Sequence, residues 1–233
     1  MRFFRHTPRV LAVAALSCAV STAHASFSFS TLSGANTAAT FAASVNGSID
    51  TFNDLIINSD LGTASLNRAA GTIGYSVSTE TNLYTVQANG IGGSALTVDG
   101  NTDTLTFANF SSPVVAFGVR FFLSELTAGN AVAGRMTVSV TDVNGLSQNY
   151  TYNQTVSAGS SGPVEPTFLR LTSTVALSSV TLVPPTPPVF PAGNPNVFAT
   201  ADNLVLAAVP EPSTWVMLLL GIAAMIRVAC RRA

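Results

Sequence analysis

Glu80, Glu125 and Glu165 are the glutamates of the long middle stretch of this 233-residue chain. A suitably opposed pair of carboxyls would serve glycosidic-bond hydrolysis, one protonating the leaving oxygen and the other assisting attack, but no motif here fixes such a pair. Asp99, Asn101 and Asp103 set oxygen side chains at alternating positions, as the start of a calcium loop does. Phe110 stands where an EF-hand would place its bidentate glutamate, and a polar hairpin turn uses the same residues. Asp54 and Asp202 are single carboxylates open to a structural calcium or to turn bonding. Tyr150 and Tyr152 share one face of a strand, where they offer a stacking platform for sugar rings or ordinary cross-strand packing.

What is missing narrows the chemistry further. His6, His24 and Cys18 lie within the first 25 residues, Trp215 and Cys230 within the last 25, and the chain has no lysine. Residues 26–208 therefore hold no His, Cys, Lys or Trp. Without an imidazole there is no Ser-His-Asp or Cys-His relay, and without a lysine amine no Schiff base. The usual zinc ligands are absent, and no disulfide can staple this stretch. The reading is a non-enzyme with no catalytic residue, metal site or cofactor assigned. Seven Asp and three Glu against four Arg give residues 26–208 a net charge of 4 − 10 = −6. A weakly acidic domain without a basic cluster cannot neutralise phosphates, which excludes nucleic acid as a partner.

These side chains must be positioned by strands. Val114–Phe122 is a dense β-branched and aromatic run behind Pro113, as a central strand buried on both faces would be. Met136–Thr141 alternates apolar and polar residues, Asn144-Gly145 signals a hairpin, and Gln148–Val156 returns with Tyr150, Tyr152 and Gln154 on one face. Further strands are predicted at Phe27–Leu32, Ile49–Ile57, Ile73–Val77, Leu83–Ala88, Ala95–Val98, Thr104–Phe107, Phe168–Thr172, Val175–Val183 and Val197–Ala208. Helical periodicity is confined to one turn near Asp60–Ala69. Short strands at this spacing predict an all-β fold, a single antiparallel β-sandwich over residues 26–208, with 184–196 as a proline-rich surface loop.

Both ends read as addresses rather than as parts of the sandwich. Arg2, Arg5 and Arg9, the apolar run Val10–Val20 and the exit Ala23-His24-Ala25 make residues 1–25 a secretory signal peptide, cut by signal peptidase after the small residues Ala23 and Ala25. At the other end, residues 209–233 carry Val209-Pro210-Glu211-Pro212-Ser213-Thr214-Trp215, an apolar run and Arg227, Arg231 and Arg232. About 16 residues over 215–230 span roughly 24 Å as a helix, enough for a short crossing with the arginines held at the cytoplasmic side.

The Pro-Glu-Pro approach, short hydrophobic helix and terminal arginines resemble the PEP-CTERM sorting signal of Gram-negative bacteria. Arg227 departs from that pattern by interrupting the helix before Val228-Ala229-Cys230. The resemblance implies cleavage near Pro210, Glu211 and Pro212 by an exosortase after transient anchoring in the membrane, then delivery to the cell surface or matrix. It also implies an exopolysaccharide or biofilm setting. Phe117-Gly118 in a central strand and Asp202-Asn203-Leu204 in the last strand resemble the jelly-roll sandwiches that precede such signals and that are similar to carbohydrate-binding modules. The alternative to a plain surface or matrix protein is accordingly a module that binds exopolysaccharide.

Overall fold

The computed structural model describes residues 26–32, 36–87, 93–124, 131–132, 134–154, 167–185 and 197–209. The expected signal helix and the expected membrane helix over 215–230 lie outside these residues. Among the described residues, no helix is long and apolar enough to cross a membrane.

Two antiparallel sheets face each other. The first runs β1 (Phe27–Leu32), β12 (Phe168–Ser173), β8 (Val114–Ser124), β14 (Phe198–Ala208), β6 (Ser94–Val98) and β5 (Leu83–Gln87), with β2 (Ser48–Asp50) on β14 and β9 (Ala131–Val132) on β8. The second runs β11 (Ser147–Gln154), β10 (Gly134–Asp142), β13 (Leu177–Val183), β7 (Leu105–Ala108), β4 (Ile73–Ser78) and β3 (Ser65–Ala70). The β8 run lies at the centre as its composition requires: its neighbours are β12 and β14, and both of its faces are buried. By contrast, β10 alternates buried and half-buried residues, as a strand with one solvent face does.

Phe107, Phe117, Phe121, Leu96, Leu105 and Met136 are fully enclosed between the sheets. Each such side chain contributes about 1.5–3 kcal/mol relative to exposure, so this body holds together without a disulfide. The outer face of the first sheet carries a second, smaller cluster under α1 (Thr37–Val45), where Ala38, Phe41 and Ala42 pack on Ala116, Phe168, Val205 and Ala207. Gly118 permits this seat. A Cβ there would stand 2.5 Å from the Phe41 ring and 2.7 Å from the Phe168 ring.

Three local expectations are corrected. Helix forms at Thr37–Val45 and not near Asp60–Ala69, where Ser65–Ala70 pairs with β4 as a strand. The helix ends at Asn46, which is left-handed at φ 52°, and Gly47 N–H donates back to the Ala42 carbonyl at 2.8 Å, a Schellman-type close. The strand expected over Ile49–Ile57 stops at Asp50, because the Asp50 carboxylate accepts the Phe52 N–H at 3.0 Å and Phe52 turns to φ 57°. The Asn144-Gly145 hairpin forms with a wider loop than a two-residue turn. Asp142 organises it by accepting the N–H groups of Asn144 and Leu146, and Gly145 supplies the positive φ of 84°.

Candidate functional site

Four side chains from four places in the sequence make the densest polar cluster. Asp50 ends β2, Asp54 lies in the turn beyond it, Arg68 projects from β3 and Tyr75 from β4. Arg68 Nε donates to Asp50 Oδ2 and Arg68 Nη2 to Asp50 Oδ1, both at 2.7 Å, a two-point fork. Nη2 also reaches Asp54 Oδ1 at 2.7 Å, and Tyr75 Oη donates to Asp50 Oδ2 at 2.6 Å. The guanidinium lies 5.1 Å from the Phe52 ring centroid. The side chains of Arg68 and Asp50 are 10% and 5% exposed, against 70% for Asp54. Burial works against the Arg68 charge, but the hydrogen bonds to Asp50 and Asp54 outweigh it and hold the guanidinium protonated. Desolvation and the Asp50 charge push the Tyr75 phenol far up. Asp54 sits below the ordinary carboxylate range through its bond to Arg68. Both Asp50 oxygens are saturated, Oδ1 by Phe52 and Arg68 and Oδ2 by Arg68 and Tyr75. This is a structural knot, with no lone pair turned toward a substrate.

Asp202 stands opposite Arg120 across β14 and β8, and both are buried. Asn203, left-handed at φ 52°, makes the bulge after it and donates its side-chain amide to the Asp202 carboxylate. Desolvation raises Asp202 from 3.8 to about 7, against the backbone and side-chain bonds of Asn203 and the Arg120 charge.

The other sequence candidates are dispersed. Glu80 accepts both the N–H and the hydroxyl of Thr104 at 2.6 Å. Partial burial would raise its pKa, but the two bonds from Thr104 outweigh it and leave the carboxyl below the ordinary range. Glu125 and Glu165 lie outside the described residues, as do Ala23, Ala25, Pro210, Glu211, Pro212, Arg227, Arg231 and Arg232. Asp103 turns inward to accept the Thr81 hydroxyl, and its N–H closes a turn onto the Gly100 carbonyl at 3.1 Å. The alternating oxygens of Asp99–Asp103 thus serve a turn. Among the described residues no three acidic side chains converge as metal ligands. Tyr152 is buried, donates to the Phe121 carbonyl at 2.7 Å and stacks on Tyr150. Tyr150 in turn stacks on Phe29 of β1 at 5.0 Å between centroids. The two tyrosines close the edge between the sheets, so the packing role holds and the platform role does not.

One concavity completes the picture. A cleft of about 260 Å³ opens on the outer face of the first sheet, between α1 and the β1–β12 edge. Phe41, Ser44 and Val45 of α1 wall one side. Ser28 and Ser30 of β1, with Arg170 and Thr172 of β12, wall the other. Ser30 is the cross-strand partner of Arg170, and Ser28 of Thr172. Arg170, Arg68 and Asp50 sit in no motif of the sequence. The available signal was scarcity: with four arginines in residues 26–208, each needs a partner or a purpose.

The fold and its exit define a lysine-free antiparallel sandwich whose last strand, at the sheet centre, runs into a C-terminal tail. That tail is a PEP-CTERM protein-sorting motif, matched over residues 208–233. No curated protein matches the chain. Among solved structures, CsCBM6-3 from Clostridium stercorarium in complex with cellobiose is 14% identical, with 70% of this chain and 94% of that one covered at a TM-score of 0.29. The CBM22-1–GH10 modules of Clostridium thermocellum xylanase 10B, complexed with xylohexaose, are 12% identical at a TM-score of 0.26. That match covers 66% of this chain and 28% of the other. The enzymatically active domain of tailspike protein 4 from bacteriophage CBA120 is 11% identical, with 79% and 18% covered and a TM-score of 0.21.

Proposed function

We propose that this is an exported, non-catalytic protein of the cell surface or extracellular matrix, delivered through its C-terminal sorting motif into an exopolysaccharide or biofilm setting. Signal peptidase removes residues 1–25. The tail then holds the chain in the membrane until an exosortase cuts near Pro210-Glu211-Pro212, and the sandwich is released or displayed.

The observation that carries this reading is where the motif starts. The PEP-CTERM match begins at residue 208, the residue at which β14 ends. Val209 N–H still donates to the Pro113 carbonyl at 2.9 Å, so the sandwich is tied off just before the first motif proline. A cut beyond Val209 leaves every described strand in place. The other end supports the same reading: β1 begins at Phe27, and Ser26 N–H reaches the Thr174 hydroxyl at 3.1 Å, directly after the proposed signal-peptidase exit at Ala25.

The non-catalytic part is supported by how Asp50 and Glu80 are occupied. Asp50 is saturated, Glu80 is bonded twice by Thr104, and no imidazole or thiol is available in residues 26–208. The test is a Pro210→Ala, Glu211→Ala, Pro212→Ala variant in the producing bacterium. Accumulation of the uncut chain in the membrane is expected. Unchanged release would refute sorting through this motif.

A further inference from the structure

We infer that the cleft beside α1 is a binding subsite for a carboxylated sugar, a hexuronate unit of an acidic polysaccharide, with Arg170 as its charge partner. The inference deepens the surface-protein reading and rests on it for access to polysaccharide outside the cell.

Arg170 carries the argument. Its Nε is buried with no hydrogen-bond partner, and no carboxylate lies within ion-pair distance of it among the described residues. Arg68 is forked onto Asp50 and tied to Asp54. Arg120, whose Nε also lacks a partner among the described residues, stands opposite the Asp202 carboxylate, whereas the cross-strand neighbours of Arg170 are Ser30 and Gly118. Among the described residues, the Arg170 fork holds no carboxylate. A planar guanidinium fits a carboxylate by two parallel bonds, which sets it apart from a general positive patch.

The surroundings select a sugar over a bare anion. Ser28, Ser30 and Thr172 flank Arg170 across the β1–β12 ladder, and their hydroxyls make no hydrogen bond among the described residues. Hydroxyls both donate and accept, as sugar hydroxyls require of their partners. Half-buried Val45, backed by the buried Phe41 ring, gives the opposite wall an apolar character that suits the C–H face of a sugar ring. A volume of about 260 Å³ lies just under the roughly 300–1,000 Å³ of drug-sized pockets, which suits one ring at a time. Gly118, the cross-strand neighbour of Arg170, keeps Phe41 close to the sheet and so keeps the wall in place. The net charge of −6 on residues 26–208 repels a polyanion overall, so capture must come from the cleft itself.

The test uses the full chain in mild detergent, with binding to polygalacturonate followed by affinity electrophoresis and calorimetry. Wild-type protein should be retained by polygalacturonate and not by the same polymer with its carboxyls reduced to alcohols. Free galacturonate should compete at far lower concentration than acetate. Arg170→Gln should weaken binding at least tenfold with its thermal midpoint unchanged, while Arg135→Gln, an equal loss of charge on the other sheet, should change it less than twofold. Should Arg170→Gln fail to fold, Ser30→Leu, which fills the cleft and leaves the arginine, must abolish retention. Equal binding by wild type, Arg170→Gln and Ser30→Leu, equal retention of the reduced polymer, equal competition by acetate, or no retention at all would each overturn the subsite. Delivery is read separately, from the mass of the form released by cells, so loss of one claim leaves the other standing.

Discussion

Arg68 is the residue on which the Asp50 knot turns. Replacing it with alanine leaves the Asp50 carboxylate enclosed and short of two of its donors, the situation in which breaking a buried pair costs about 3–5 kcal/mol. Arg68→Ala should therefore lower the denaturation midpoint sharply, and Arg68→Lys should recover only part of it, since an ammonium cannot fork. Asp54→Ala, removing the exposed partner, should cost no more than about 1 kcal/mol. Equal effects of the two alanine variants in urea denaturation would show that the knot is misread. Asp202 gives a pH signature. Its folded value near 7 lies above the ordinary 3.8, so the folded state favours the neutral carboxyl. The contribution to stability is full below about pH 4 and is lost as pH rises toward 7. Asp202→Asn cannot ionise, so its stability relative to wild type should improve by about 2–4 kcal/mol between pH 4 and pH 8. A pH-independent difference would contradict this assignment.

Among the elements, α1 and β14 make the sharpest claims. Gly118→Ala places a methyl group against the Phe41 and Phe168 rings, overpacking of a kind that costs about 1–3 kcal/mol. Amide exchange in Thr37–Val45 should speed up more than in β10, because the helix rides on that contact and β10 lies in the other sheet. Unaltered protection of the helix would show that its seat does not depend on the glycine. Most strands were legible from composition: the β-branched run of β8, the alternation of β10 and the Asn-Gly hairpin all appear in order. The helix was not, because Thr-Ala-Ala-Thr-Phe-Ala-Ala-Ser-Val has few large apolar residues and gains its stability from the sheet beneath it. The strand expected through Ile57 failed for a different reason, since Asp50 ends it with its own side chain. The knot was illegible because Asp50, Arg68 and Tyr75 meet only after three strands and a turn have folded. The tail was the most legible part, because its signal is contiguous and is read as a linear string.

At the scale of the whole molecule, the most reactive side chains are confined to the two ends. Cys18 and Cys230, both histidines and the tryptophan lie in the two ends, and residues 26–208 carry none of them. The proposed processing at both ends would therefore leave a thiol-free protein. The form recovered outside producing cells should not react with maleimide under denaturing conditions, whereas a chain cut only at its N-terminus should carry one reactive thiol at Cys230. Since β14 ends at Ala208 and is tied off at Val209, the cut chain should also unfold at the same temperature as one retaining the tail.

The most direct measurement is the intact mass and terminal sequence of the protein displayed or released by the cells that make it. A chain beginning at Ser26, ending near Pro210-Glu211-Pro212 and lacking Trp215–Ala233 is the predicted result. A steady-state population that keeps Trp215–Ala233 and stays embedded in the membrane would contradict the account of this tail as a temporary sorting handle.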